Sequence, residues 1–209
     1  MTATRVGGIQ ATQVRVRSGG SFASPSGVTR GLSSPWLTRV TRRWLRCQSM
    51  IELPLHSLCA PVAFLLGEWH GEGHGGYPDM TPFAYREEMR VWHTGKAYLA
   101  FEQRTWQTDS EKAGREIHGE LGYLRCREDG GLELMVAMAP GHVEVSTGAI
   151  KGTRITLSSD GVVDTPSAAP VSAVTRTWWL EDDILRYELE MSALAQPMTW
   201  HLAAELRRV

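Results

Sequence analysis

The sequence predicts an all-β protein, an antiparallel up-and-down barrel of nine or ten strands, from three observations. Short segments of alternating apolar and polar residues recur from about residue 67 onward. Tight-turn sequences separate these segments, and no long segment has the 3.6-residue apolar period of a helix. Strands joined by sequential hairpins can close on themselves, which leaves no exposed sheet edge. A barrel of this size encloses a cavity, and strands rich in Trp and Met predict an apolar ligand inside it.

The elements can be placed in order along the chain. Leu58–Leu66 is short and apolar, and we expect a helical turn that plugs one end of the barrel. The Gly-rich segment that follows predicts a bent first strand with Trp69 packed inside. Sequences such as Asp129-Gly130-Gly131 are typical of hairpin turns. The remaining strands are predicted at residues 83–91, 98–107, 116–127, 132–138, 142–150, 153–158, 171–180, 184–191 and 198–207.

The first fifty residues differ in composition from the rest of the chain. Residues 1–51 contain eight Arg and no Lys, Asp or Glu, and no apolar period lasts long enough to build a core. Residues 1–50 are therefore expected to be a basic, disordered leader, or to precede a true translation start at Met50. An organelle transit peptide is the alternative, because such segments are rich in Arg and Ser. The barrel domain is placed at residues 51–209, in the cytoplasm unless the leader directs it to an organelle.

Composition excludes several classes of function. Taking the eight leader Arg from the chain's 22 basic residues leaves 14 against 23 acidic ones, a net charge of −9 for the domain. A domain this acidic repels phosphate backbones, so nucleic acid is not an expected partner. No apolar run approaches the roughly 18 residues of a membrane span. Cys47, Cys59 and Cys126 form no CxxC pair, so neither a zinc ribbon nor a disulfide framework is predicted.

Histidines are the main candidates for a functional site. His70 and His74 have the spacing of a metal pair on a helix, but in a Gly-rich strand they merely share a face. His118 is expected to be a surface or hydrogen-bonded histidine. His201 shares its parity with Glu205, whereas Leu202 and the following apolar residues occupy the other parity. Alternation therefore places His201 outward unless the strand bulges.

Five blocks in a fixed order carry a resemblance to a known family. The blocks are a GxWxGxG segment at Gly67, Trp69, Gly71 and Gly73; Tyr77-Pro78 with residues 82–88; Gly95-Lys96 with residues 103–106; residues 118–125; and residues 196–202. In this order and spacing, they resemble the nitrobindins, heme-binding β-barrels related in shape to fatty-acid-binding proteins and lipocalins. The resemblance runs from about Leu58 to Arg208.

The resemblance implies a ten-stranded antiparallel up-and-down barrel that binds ferric heme b. The family's axial histidine falls on His201, which would be both the iron ligand and the catalytic residue. A Met-His pair near the open heme face falls on Ile117 and His118, and a threonine near the heme falls on Asp79. The implied activity is a heme-dependent isomerisation of peroxynitrite to nitrate, with nitric oxide as a second ligand. The implied partners are heme and these small molecules, and a homodimer is left open.

Two departures from the family pattern keep other functions open. A carboxylate at Asp79 is more polar than threonine and would repel the heme propionates. Residues 168–170, Ala-Ala-Pro, lack a lysine that relatives often carry in this loop. These departures favour a fatty-acid-binding-like carrier of an apolar ligand, and a heme-based nitric oxide sensor is a third alternative. A hydrolase is not predicted, because the chain has no GxSxG elbow.

Overall fold

Ten antiparallel strands form a closed barrel, which confirms the predicted fold class. The computed structural model describes residues 53–78, 80–109 and 111–209, so the predicted leader lies outside the described residues. Each strand pairs with its neighbours in sequence, and the first pairs with the last. The strands are β1 (Gly67–Tyr77), β2 (Met80–His93), β3 (Tyr98–Gln107), β4 (Glu116–Cys126), β5 (Gly131–Met138), β6 (His142–Lys151), β7 (Arg154–Asp164), β8 (Val171–Glu181), β9 (Ile184–Ala193) and β10 (Thr199–Arg208).

A 3₁₀ helix at Ser57–Leu65, the plug helix, closes one end of the barrel. Cys59, Val62 and Leu65 are buried and join the hydrophobic core. The carbonyl of Leu65 accepts a 2.8 Å hydrogen bond from the buried indole nitrogen of Trp69 in β1. The plug helix is therefore attached to the first strand through a side chain that would otherwise bury an unpaired donor. This end is the near end, and the opposite end is the far end.

The near end is packed with apolar side chains. A cavity of only about 10 Å³ remains there, lined by Leu65, Met89, Val91, Leu99, Phe101, Leu124 and Trp178. A void of this size with only apolar walls holds no ligand. The alternating residues of the predicted strands account for this packing, because every second side chain points inward. No helix in the described part of the chain is long and apolar enough to cross a membrane.

The predicted end of strand β7 differs from the end seen in the structure. We predicted a strand at residues 153–158, and Ser159, Asp160 and Gly161 follow it in the sequence. The structure continues β7 to Asp164, with a register shift at the point where Ser146 pairs with Ser159 and Val145 pairs with Gly161. The extra residue, Asp160, is accommodated as a β-bulge, so a turn-like sequence is absorbed within the strand.

Candidate functional site

His201 points into the barrel, and the outward orientation predicted from alternation is wrong. The ladder between β9 and β10 shifts register here: Trp200 pairs with Glu190, whereas Leu202 pairs with the adjacent Leu189. One residue of β10 is therefore unpaired, and the alternation reverses across it. Leu202 packs against the core, Trp200 is exposed, and His201 is partly buried on the inner side.

The imidazole of His201 is fixed by the backbone of β1. The β1–β10 ladder ends at the pair Gly75–Leu202, and His201 Nδ1 lies 3.0 Å from the carbonyl oxygen of Gly76 just beyond it. A carbonyl only accepts hydrogen bonds, so Nδ1 carries the proton and Nε2 keeps its lone pair. Burial lowers the pKa of His201; the nearby charge of His118 acts in the same direction, and the Gly76 hydrogen bond opposes them. A neutral imidazole with a free Nε2 is the form that binds a metal.

Aromatic side chains surround the His201 ring. The ring of Tyr77 lies 5.7 Å away in an edge-on arrangement, and that of Phe83 lies 6.4 Å away. The Tyr77 hydroxyl accepts a 2.9 Å hydrogen bond from the Ala193 backbone nitrogen, which fixes this ring to β9. A Cβ built at Gly75 would lie 2.4 Å from Phe83 Cζ and 2.7 Å from Leu202 Cδ2. Glycine at position 75 therefore leaves space for the walls of the site.

Ile117 and His118 also face the interior: His118 shares the inward parity of Glu120 and Leu124, and a bulge in β4 turns Ile117 inward as well. Thr105 pairs with His118 and Trp106 pairs with Glu116, which leaves Ile117 unpaired. Ile117 packs against the core. His118 is half-buried, and its Nε2 lies 2.9 Å from Glu120 Oε1. The expectation of a hydrogen-bonded histidine is met, and its partner is a buried carboxylate.

A layer of buried polar side chains, the polar girdle, separates the two ends of the barrel. At its centre, the Arg176 guanidinium bonds Glu120 at 2.9 and 3.1 Å and Glu144 at 2.8 to 3.2 Å. Ser146 donates a 2.5 Å hydrogen bond to Glu144. These four side chains are buried. One cation thus faces two carboxylates, and the cluster carries a net negative charge.

The rest of the girdle is a chain of hydroxyls that ends at a carboxyl group. Tyr187 donates a 2.6 Å hydrogen bond to Glu87, and the hydroxyls of Tyr85 and Tyr187 lie 2.7 Å apart. Glu87 is buried and its Oε1 has no partner. Burial raises the pKa of Glu87 to about 8, so this carboxyl group is mostly neutral at pH 7.

The GxWxGxG motif builds the barrel wall from the near end to the middle of β1. Trp69 is buried at the near end. A Cβ at Gly71 would lie 2.0 Å from the backbone oxygen of Glu205, and a Cβ at Gly73 would lie 2.3 Å from the Tyr85 ring. Gly67 has a φ of +128°, a conformation that favours glycine. The motif therefore permits close contact of β1 with β10 and leaves room for Tyr85.

The predicted site residues are partly brought together. His201, Ile117 and His118 gather at the far end, on strands that lie four apart around the barrel. Asp79 lies outside the described residues, so the effect of its carboxylate stays a prediction. His70 and His74 are exposed on the outer surface. Sequence analysis missed Glu120, Glu144 and Arg176, although each is a charged residue at an inward-facing position of its strand.

A closed barrel with a neutral, partly buried imidazole among aromatic side chains at one end defines a barrel that binds a cofactor or small ligand. The family model described as "THAP4-like, heme-binding beta-barrel domain" matches residues 58–208. The chain belongs to this family, which confirms the resemblance to the nitrobindins.

Named relatives and a solved structure agree with this assignment. "Peroxynitrite isomerase Rv2717c" of Arabidopsis thaliana is 39% identical over 158 residues, covering 75% of this chain and 92% of that protein. Peroxynitrite isomerase 1 of Mycolicibacterium paratuberculosis is 39% identical over 158 residues, covering 74% and 96%. The crystal structure of Rv2717c from M. tuberculosis is 36% identical, with a TM-score of 0.68, over 75% of this chain and 99% of that one.

The donor set at the far end fits a heme. Heme iron takes a neutral imidazole nitrogen, and His201 offers Nε2 while Nδ1 is held by Gly76. Second partners of this kind fix the tautomer of ligating histidines. Phe83, Leu202 and Ile117 supply the apolar contacts that a porphyrin requires.

Proposed function

We propose that the chain binds heme at the far end of the barrel and isomerises peroxynitrite to nitrate. The observation that carries this proposal is the state of His201: a partly buried, neutral imidazole whose Nδ1 is already bonded and whose Nε2 is free. Membership of a heme-binding barrel family and relatives named peroxynitrite isomerase support it. His201 is the proposed axial ligand.

The chain's own residues have separate tasks in this activity. Bound heme would supply a Lewis-acidic iron at which the peroxynitrite anion rearranges. His201 would hold the metal through Nε2, and the Gly76 carbonyl holds the ring against rotation. Phe83 and Ile117 exclude water from the apolar part of the pocket, which helps to keep reactive fragments together until they recombine. In its protonated form, His118 is the proposed hydrogen-bond donor to the bound anion.

The heme is proposed to be ferric heme b. Covalent attachment of a c-type heme uses a Cys-x-x-Cys-His sequence, which the chain lacks. The polar girdle supports the ferric state, because Glu120 and Glu144 outnumber Arg176 and Glu87 is mostly neutral. Net negative charge buried near a metal favours its higher oxidation state.

The axial assignment is tested by adding hemin to the full-length protein. We expect a saturable Soret band in the native protein and its collapse in His201→Ala, with partial recovery on adding free imidazole. His74→Ala is the matched control, because His74 lies on the adjacent strand but is exposed on the outer face. An unchanged Soret band in His201→Ala would show that another residue holds the iron.

The isomerase activity is tested with the hemin-loaded protein and peroxynitrite. We expect faster decay and a larger nitrate-to-nitrite ratio than in buffer, and both effects should be lost in His201→Ala. Decay at the rate seen with free hemin would contradict the enzymatic proposal. Nitric oxide is proposed as a second ligand, and a shift of the Soret band on anaerobic addition of nitric oxide would support it.

A carrier of fatty acids is the second candidate, and the polar girdle argues against it. A barrel that holds a fatty acid needs a buried cation or donor set free for the carboxylate. Here the Arg176 guanidinium is bonded by Glu120 and Glu144, which leave it no net positive charge to offer. Lipid extraction of purified protein discriminates the two functions: a carrier yields stoichiometric acyl chains without iron.

A homodimer is also proposed, on the basis of an apolar outer face. Exposed side chains on the outer faces of neighbouring strands β4 to β7 form two rows, namely Leu121, Ala137, Val143 and Val163, and Tyr123, Met135 and Val145. A contiguous apolar face of this kind marks an interaction surface. Light scattering should show a dimer that Val143→Glu converts to a monomer with hemin binding retained. A monomeric native protein would refute this pairing.

A further inference from the structure

The contact between His118 and Glu120 determines which nitrogen of the histidine ring carries the proton. Burial opposes ionisation of Glu120, but the charge of Arg176 and the hydrogen bonds from His118 and Arg176 outweigh it and lower its pKa to about 2. Glu120 is therefore ionised at any pH near neutrality, and an ionised carboxylate only accepts hydrogen bonds. The proton in the 2.9 Å contact must then reside on His118 Nε2.

Glu120 is itself held on both oxygens. Arg176 donates to Glu120 Oε2 at 2.9 Å and to Oε1 at 3.1 Å, and Oε1 also receives the hydrogen bond from His118. Paired contacts of this type with a guanidinium fix the plane of a carboxylate. The far side of Arg176 is bonded to Glu144 on β6. Three strands, β4, β6 and β8, therefore hold the carboxylate that His118 contacts.

We propose that Glu120 is a positioning residue: it selects the Nε2–H tautomer of His118 and leaves Nδ1 as the nitrogen available to a ligand at the far end. Arg176 holds Glu120 in place and acts on His118 only through it. The assignment deepens the proposed function, on which it rests for the identity of that ligand. A neutral His118 can accept a hydrogen bond through Nδ1, and a protonated one can donate to an anion such as peroxynitrite.

The chain offers a matched pair of variants to test this role. Glu120→Gln and Glu144→Gln each replace one buried carboxylate of Arg176 with an amide of the same shape, and each leaves the guanidinium one charged partner. The two variants change the charge of the girdle equally. Only Glu120 contacts His118, so a difference between the variants reports the contact and not the charge.

The tautomer can be measured in the full-length protein without heme. Long-range proton–nitrogen spectra of protein labelled with ¹⁵N-histidine distinguish the two neutral forms, and His118→Gln assigns the signal. We expect the Nε2–H form in the native protein and in Glu144→Gln, and a mixture of forms in Glu120→Gln. An Nδ1–H form in the native protein would overturn the proposal even if no variant folded. Equal changes in the two variants would show that buried charge, not positioning, is responsible.

A second measurement uses azide as an anionic probe of the hemin-loaded protein. Neutral His118 presents only a lone pair to azide while Nε2–H is bonded to Glu120, so the mixture of tautomers in Glu120→Gln, which admits an Nδ1–H donor, should tighten azide binding by about tenfold, the value of one hydrogen bond, and Glu144→Gln should change it by much less. Equal azide affinity in all three proteins would overturn the link between Glu120 and the ligand. If the native protein binds no hemin, the proposed function fails, whereas the tautomer result without heme still decides the role of Glu120.

Discussion

The two ends of the barrel are built from the same ten strands but differ in the regularity of strand pairing. At the near end, the ladders are regular, and the plug helix, Trp69 and Phe101 form a nearly void-free apolar core. All five register shifts among the described residues lie in the far half, between β1 and β2, β3 and β4, β6 and β7, β8 and β9, and β9 and β10. Regular pairing at the near end stabilises the fold, and interrupted pairing at the far end orients the residues of the site.

The largest effect on stability is expected at the near end. Trp69→Ala removes a buried ring and leaves the Leu65 carbonyl without its partner, so the free energy of unfolding should fall by about 3–5 kcal/mol. His201→Ala at the far end should change it by about 1 kcal/mol or less while abolishing hemin binding. Chemical denaturation of both variants without heme measures the difference. Equal losses would mean that the far end is as much a part of the core as the near end.

The boundary between the two ends should respond to pH. Burial raises the pKa of Glu87 to about 8, so the folded protein keeps a proton that the unfolded chain releases near the normal pKa of 4.5. The stability due to this group is full below about pH 4.5, falls as the pH rises, and is lost above about pH 8. Glu87→Gln has no such proton, so its stability relative to the native protein should rise by about 4 kcal/mol between pH 5 and 8.5.

The control for this pH effect is the neighbouring Glu88, whose side chain is exposed and bonded to Arg86. Glu88→Gln should leave the shape of the stability curve unchanged. If Glu87→Gln and the native protein gave parallel curves, Glu87 would be ionised in the folded state and the girdle would carry one more negative charge.

A smaller effect is expected from filling space at the far end. Gly75→Ala places a methyl group against Phe83 and Leu202, so these side chains must move, at a cost of about 1–3 kcal/mol, and hemin affinity should fall with it. Gly119→Ala is the matched control, because its Cβ would meet no atom closer than 3.6 Å. A hemin titration that gives equal affinities for the two variants would show that the walls beside His201 tolerate repacking.

The smallest effect is expected on the outer surface. Arg125 forms a 2.8 Å ion pair with Glu133, and its side chain is 56% exposed. Arg125→Gln should lower the free energy of unfolding by about 0–1 kcal/mol, and less in high salt, because water and ions screen exposed pairs. A thermal melt at two salt concentrations measures this, and a loss above 2 kcal/mol would indicate a role for Arg125 beyond the pair.

The near end could be predicted from sequence because its signal is local. Met89 and Val91 alternate with Glu88 and Arg90, and the structure buries both apolar side chains. The polar girdle was missed because apolar alternation does not mark an inward carboxylate. Glu87 lies on the same parity as Tyr85 and Met89, which was the available signal. Its partner Tyr187 is one hundred residues away, so their contact depends on the closure of the barrel and not on local pattern.

The orientation of His201 was mispredicted for a related reason. Alternation assumes that no residue is unpaired, and the register of β10 against β9 cannot be read from β10 alone. The family resemblance implied a ligand role for His201, which stays a prediction, and it did not state how the residue turns inward. The inward orientation of Ile117 in β4 depends on a bulge of the same kind.

Because one residue of β10 is unpaired, the orientation of the far-end side chains depends on the exact number of residues in this strand. Deleting a single residue between Thr199 and Leu202 would restore strict alternation and exchange the inner and outer faces of everything on one side of the deletion. The imidazole would be lost from the interior although no side chain at the site had been chosen wrongly. The presence of an imidazole in the pocket therefore depends on the number of residues in this strand as much as on the histidine itself.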